Sequence, residues 1–324
     1  MKNININRTD LVCESLDASN YLLEGSNNDV STYKMIIDEK MSKDINKPIG
    51  KYYTVMLKEY NDVVKEEISK RIIEIISDFN INKSDLILIV GLGNVNISAD
   101  ALGPKTLEKL FVTSHIYNEL DGNKYQNLAI FTPGVTGETG IETFEKIEAI
   151  ANKIKPKLII CIDALCAKSI ERVNKTVQIT DTGITPGSGV GNNRKKLDYS
   201  TLNIPVVAIG VPTVVDLVTI SVNTLNYLLK YLTYHTNKEP SKDNLYASGS
   251  DYLKYDKVIT NEEKKLFFGE IGVLNEDEKR EILNDALTPE GLNYIVSTKE
   301  IDEVIENLSS LLANSLNYAF HQNL

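Results

Sequence analysis

The sequence predicts an α/β fold: a mostly parallel open sheet flanked by helices, with peripheral additions at both ends. Three observations predict it. Short, largely apolar runs recur between positions 86 and 232, separated by segments of helical spacing. Glycine-rich turns follow two of those runs, as where a strand hands the chain to a helix beside a ligand. A chain of 324 residues can also bury a large core without disulfides or a structural metal.

The elements follow in order. The first sixty residues mix alternating runs, Ser31-Thr-Tyr-Lys-Met-Ile-Ile37 and Tyr52-Tyr-Thr-Val-Met56, with polar turns, the pattern of strands or of a small peripheral layer. Over 63–79, Val64, Ile68, Ile72, Ile75 and Ile76 recur at helical spacing and predict a core-facing helix. Central strands are predicted at 86–90, 127–131, 158–162, 176–180 and 205–210. Helices are predicted at 105–119, 140–153, 164–172 and 214–232. The interval 235–256 is polar and broken by Pro, Gly and Ser, as in an exposed loop. Beyond it, 275–287 and 301–320 read as helices, the second opened by a capping box of Ser297 and Glu300. Its apolar face of Ile301, Val304, Ile305, Leu308, Leu312 and Leu316 either covers the central core or is buried between subunits. The α/β core thus spans about 86–232, and a helical C-terminal region spans about 256–324.

Composition narrows the function classes. With 45 acidic against 35 basic residues, the net charge of -10 disfavours DNA or an anionic membrane as a direct partner and suits a basic protein substrate. Cys13, Cys161 and Cys166 match neither a zinc spacing nor a secreted disulfide framework. The N-terminus lacks a signal-peptide core, and no run approaches a membrane span, so a reducing, cytoplasmic setting is expected.

The candidate chemistry gathers at strand ends. Gly91-Leu-Gly-Asn-Val-Asn96 has Asn where a dinucleotide fingerprint needs its third Gly, and no phosphate-binding Gly-Lys-Ser/Thr follows. Pro186 stands where a nucleophile elbow at Ser188 needs Gly. Asp100 follows the first glycine turn, and Asp163 follows the run Leu158-Ile-Ile-Cys-Ile162. If the two carboxyls converge, repulsion keeps one protonated, so one can activate water while the other polarises a carbonyl. The bland alternative is two separate acids capping helix N-termini. Asp181-Thr182-Gly183 has the triplet of pepsin-like aspartic proteases, in one copy only, and Asp181 serves equally as a local turn cap. His115 is a secondary candidate, and Asp100, Asp163 and His115 together form an alternative divalent-metal set; otherwise no cofactor is expected. Asp216, near another strand-to-helix junction, reads as a cap.

The chain resembles the germination proteases of spore-forming bacteria. The resemblance is carried by Arg8-Thr-Asp-Leu11, Gly91-Leu-Gly-Asn94, Asp100-Ala-Leu-Gly-Pro104 and Pro133-Gly-Val-Thr-Gly-Glu-Thr-Gly-Ile-Glu-Thr143. It continues through Ile162-Asp-Ala-Leu165, Gln178-Ile-Thr-Asp-Thr-Gly-Ile184, Pro186-Gly-Ser-Gly-Val-Gly-Asn192, Ala208-Ile-Gly-Val-Pro-Thr-Val-Val215 and Leu287-Thr-Pro-Glu-Gly-Leu-Asn293. Similarity therefore runs over nearly the whole chain. One departure is Lys168, where the family usually has Arg; the charge survives without the planar fork.

The resemblance implies a fold like that of hydrogenase-maturation proteases and an endopeptidase that degrades small acid-soluble spore proteins in the spore core. It implies Asp100 and Asp163 as the catalytic pair, with Asp181 and His115 behind them. It also implies a homotetramer, and a zymogen in which residues 1–10 form a propeptide ahead of a single protease domain at 11–324, cut between Asp10 and Leu11.

Overall fold

The computed structural model describes residues 11–14, 22–187, 195–237, 251–254, 257–288 and 294–321. The expected propeptide, the second glycine-rich stretch beyond Gly187, most of the polar interval 235–256 and the tail motif from 289 lie outside them.

Strands β1 (Leu22–Ser26) and β2 (Val30–Ile37) form a hairpin. After the short helix α1 (Glu39–Ile45), β3 (Gly50–Leu57) pairs antiparallel with β2. Asn61 opens α2 (Asp62–Ser77) by accepting the Val64 N–H. Val64, Ile68, Ile72, Ile75 and Ile76 are all buried along it, as their spacing predicts. Next come β4 (Ile87–Gly91), α3 (Leu102–Leu107), β5 (Leu128–Phe131), α4 (Thr136–Thr139), α5 (Thr143–Ile154) and β6 (Leu158–Ala167). β4 lies between β5 and β6 and is parallel to both. β7 (Thr176–Thr180) is followed by α6 (Tyr199–Leu202) and β8 (Val206–Asp216), and runs antiparallel to both β3 and β8. The order across the sheet is β1-β2-β3-β7-β8-β6-β4-β5. The α/β architecture is the expected one, with a parallel part around β4 and an antiparallel part built on the N-terminal strands.

The chain divides into two compact units. The smaller takes 168–170 and 215–296, where α7 (Leu217–Asn237) packs with α8 (Asn261–Val273) and α9 (Glu276–Leu287). There β9 (Ile295–Val296) pairs with Val215 and Asp216. Asp216 caps α7 by accepting the Thr219 N–H at 2.5 Å, as its position suggested. The larger unit holds the rest of the sheet and α10 (Ile301–Phe320). Ile305, Leu308, Leu312 and Leu316 of α10 are buried in one core with Ile68, Ile72 and Ile75 of α2 and Ile87 and Ile89 of β4. The apolar face of α10 is therefore spent within its own chain, each such side chain contributing about 1.5–3 kcal/mol. On the other side of the sheet, Phe144, Ile147 and Ala151 of α5 cover Leu88, Val90, Ile159 and Cys161.

Three expectations are corrected. The helix expected at 105–119 stops at Leu107, because tertiary partners take the following amides: Phe111 N–H donates to Asn317 Oδ1, and Thr113 and Ser114 N–H donate to Leu128 O. The helix expected at 164–172 is instead the continuation of β6 to Ala167, then a 3-10 turn at Ile170–Arg172. Leu165 lies over Gly210 of β8, where a Cβ would come within 2.4 Å of it, so this run is packed as strand. The capping box at Ser297 does not form: Glu300 is the cap position and makes no side-chain cap bond. Asp302 and Glu303 in the first turn serve the helix dipole in its place.

Candidate active site

The site grows from the end of β4. Gly91, its last residue, pairs with Ile162 of β6, and Leu92 N–H donates to Ile162 O at 2.8 Å. β6 continues past this point, so Asp163 stands inside a strand and not at its end, one residue beyond the last β4 partner. Its side chain is buried and accepts the Ala164 N–H at 3.0 Å. Strand alternation puts it on the side of Cys161. Burial, and secondarily the Asp163 charge, push the Cys161 thiol well above the ordinary range.

From β4 the chain turns through Gly93, at φ 107°, into a 3-10 turn at Ser98–Asp100. A Cβ on Gly93 would lie 2.0 Å from Asp100 O, so only glycine fits. Asn94 N–H donates to Asp100 Oδ2 at 2.7 Å, and Asn96 N–H to Asn94 Oδ1 at 2.8 Å. The glycine turn thus fixes the half-buried Asp100 carboxylate. Its turn packs against β6, the strand of Asp163. Two residues past Ala101, Gly103 lies so close to the edge that a Cβ would fall 2.4 Å from Leu92 O and 2.6 Å from Ile162 O. Asp100 and Asp163 therefore sit on adjoining segments at the carboxyl edge of the parallel strands, where open α/β sheets bind ligands.

The secondary candidates lie elsewhere. Asp181 follows β7, whose Thr180 pairs with Ala208 near the start of β8. That is the opposite end of the parallel strands, since β8 and β6 begin side by side, with Ile159 N–H donating to Pro205 O. Asp181 Oδ1 accepts the Lys51 N–H at 2.8 Å, while Thr182 Oγ1 meets Tyr52 Oη and Thr180 Oγ1. Burial raises the Asp181 carboxyl, against the lowering effect of the Lys51 N–H. His115 is exposed, in a turn tied to Leu128 at the start of β5. Because Leu128 pairs with Ile87, the first residue of β4, His115 too is at the far end from Asp100. Among the described residues no group of three or more His, Cys, Asp or Glu could hold a metal ion, and Asp100, Asp163 and His115 do not assemble into one.

Sequence reasoning passed over Asn94, whose amide holds Asp100, and Thr213, whose hydroxyl donates to Ala99 O at 2.6 Å. Both lie in segments that carried the resemblance, which was the available signal.

This is the layout of an open α/β sheet with two carboxylates on adjoining segments at the carboxyl edge of its parallel strands. Comparison with known proteins is more specific. The family model described as germination protease, a peptidase family, matches residues 8–324. The germination protease of Oceanobacillus iheyensis is 41% identical over 318 residues, covering 92% of this chain and 86% of that protein. That of Bacillus subtilis is 43% identical over 289 residues, covering 84% and 78%, and that of Bacillus licheniformis 40% over 306 residues, covering 90% and 83%. The chain belongs to the germination protease family and is a peptidase of spore germination. No helix among the described residues is long and apolar enough to cross a membrane.

Proposed function

We propose that this peptidase is an endopeptidase of the spore core that initiates degradation of small acid-soluble spore proteins, using Asp100 and Asp163 as a pair. The observation that carries the reading is the packing of the Asp100 turn on β6, with Gly103 seated against Ile162, the residue before Asp163. One carboxyl is ionised and its partner protonated. The ionised member takes a proton from water as the water oxygen bonds to the peptide carbonyl carbon, while the protonated member donates to the carbonyl oxygen. Collapse breaks the C–N bond as the second acid takes back a proton from one hydroxyl of the tetrahedral carbon, re-forming the carbonyl, and the first acid passes its proton to the leaving amine. The original protonation states are restored. An extended substrate strand suits such an edge, and the net charge of -10 assists encounter with its Lys-containing segments.

The same reading has processing between Asp10 and Leu11 and a homotetramer. Leu11 and Val12 are buried, and Val12 N–H donates to Gln178 Oε1 at 2.7 Å, which supports a mature chain anchored at its new N-terminus. Val12 shares a cluster with Met35, Ile37 and Tyr52. N-terminal sequencing of active enzyme is expected to begin at Leu11, and light scattering of the uncut chain to give four times 36.2 kDa; a stable 36.2 kDa species would reject the tetramer. The test of the activity is cleavage of a purified spore protein by wild type and Asp163→Asn, with and without chelator. Chelator-insensitive cleavage that Asp163→Asn abolishes is the expected result. Loss of wild-type cleavage with chelator would replace the paired-acid mechanism with a metal-dependent one.

A further inference from the structure

We propose that Thr213 is a positioning residue for Asp100, an inference that rests on the catalytic reading of Asp100 above. Thr213 lies on β8 and is fully buried. Its hydroxyl donates to the carbonyl of Ala99 at 2.6 Å, directly before Asp100. The turn is also held by its own backbone, with Asp100 N–H on Ile97 O at 2.8 Å and Ala101 N–H on Ser98 O at 3.2 Å, and at its exposed end by Ser98 Oγ, which donates to Asp302 Oδ1 of α10 at 2.5 Å.

The topology makes this bond more than local. In the sheet order, β6 separates β8 from β4, and the Asp100 turn grows from β4. The Thr213 bond therefore reaches over the strand that carries Asp163 and ties the Asp100 turn to the strand beyond. Asn94 N–H holds the carboxylate itself at 2.7 Å. One bond orients the acid, and the other sets where its turn sits relative to Asp163. A buried hydroxyl is suited to the second task because it satisfies a carbonyl and fixes its direction at once. Displacement of a catalytic group by about 1 Å costs on the order of a hundredfold in rate.

Thr213→Val keeps the shape and removes the donor; Thr213→Ser keeps the donor. On activated enzyme with a purified spore protein, Thr213→Val is expected to lower kcat by about ten- to a hundredfold with KM within about twofold. The acid limb of its kcat/KM profile should rise, because the Asn94 N–H no longer lies as well on the ionised Asp100. Thr213→Ser should recover more than about half of the rate, by retaining the donor. Hydrogen exchange over 93–101 should accelerate in Thr213→Val and not in Thr213→Ser. If the valine variant does not fold, Thr213→Ala takes its place. Full activity in the folded Val or Ala variant, or a serine variant as impaired as they are, would overturn the proposal. Asp100→Asn is assayed alongside. An active Asp100→Asn with loosened 93–101 in Thr213→Val would sink the catalytic reading and leave the tether standing; an inert Asp100→Asn beside a fully active Thr213→Val would sink the tether alone.

Discussion

Two aspartates in this molecule sit in glycine turns, and both accept a backbone N–H there: Asp100 from Asn94 at 2.7 Å and Asp181 from Lys51 at 2.8 Å. Locally they are near equivalents. What separates them is the strand each turn leaves. The Asp100 turn departs from the carboxyl edge of a parallel strand and packs on β6, which carries a second buried acid. The Asp181 turn closes an antiparallel ladder, with Thr180, Thr182 and Tyr52 joined by hydroxyl contacts around it. An Asp–Gly turn is therefore not evidence of chemistry by itself. Its place in the sheet decides.

The sharpest way to break this contrast is to disturb the packing of one turn without touching its acid. Gly103→Ala drives a methyl into the carbonyls of Leu92 and Ile162, backbone atoms that have little room to yield. Peptide cleavage should fall on the order of a hundredfold, with a stability loss of about 1–3 kcal/mol by denaturant unfolding. Full activity would show that the seat of the Asp100 turn on β6 is immaterial. Gly50→Ala tests the other turn, since its methyl would meet Asp181 Oδ1 and Thr182 Cγ2, each at 2.4 Å. There the expected cost is about 1–3 kcal/mol of stability, with kcat changed less than about threefold once the protein is folded.

A smaller, pH-dependent effect is expected on the antiparallel side. Glu74 is pushed up by burial, but hydrogen bonds from Lys34 and Tyr53 and the charges of Lys34 and Arg71 outweigh this and hold it at about 2. Its folded value lies below its unfolded one, so its stabilisation is present above about pH 4.5 and is lost as pH falls toward about 2. Glu74→Gln should thus be less stable than wild type at neutral pH, with the gap closing as the pH approaches 2 and turnover nearly unchanged. A gap that stays constant with pH would remove the ion-pair account.

The parallel part of this fold was legible because its strands are buried on both sides and read as uninterrupted apolar runs, Ile87 to Val90 and Leu158 to Ile162 being the clearest. Asp100 and Asp163 were legible as the polar residues that follow them. The same continuity hid the end of β6: Leu165, Cys166 and Ala167 are buried too, and nothing in their spacing distinguishes strand from helix. The truncation of α3 depends on Asn317 and Leu128, far away in sequence, and could not be read locally. Likewise, nothing in the chain order announces that β7 pairs with β3, or that Thr213 reaches Ala99 over an intervening strand. Those facts belong to topology, which periodicity does not encode.

The most direct test of the contrast is to measure kcat for Asp100→Asn and Asp181→Asn side by side, on activated, demonstrably folded protein with a purified spore protein as substrate. Both replacements keep an oxygen able to accept the local backbone N–H, so both turns should survive. Asp100→Asn should lose on the order of a thousandfold, because Asn can neither take nor give the proton. Asp181→Asn should remain within about threefold of wild type, since the backbone bond from Lys51 that holds it in its turn is kept by the amide oxygen. Near-normal turnover in Asp100→Asn, or a collapse confined to Asp181→Asn, would contradict the assignment of chemistry to the carboxyl edge.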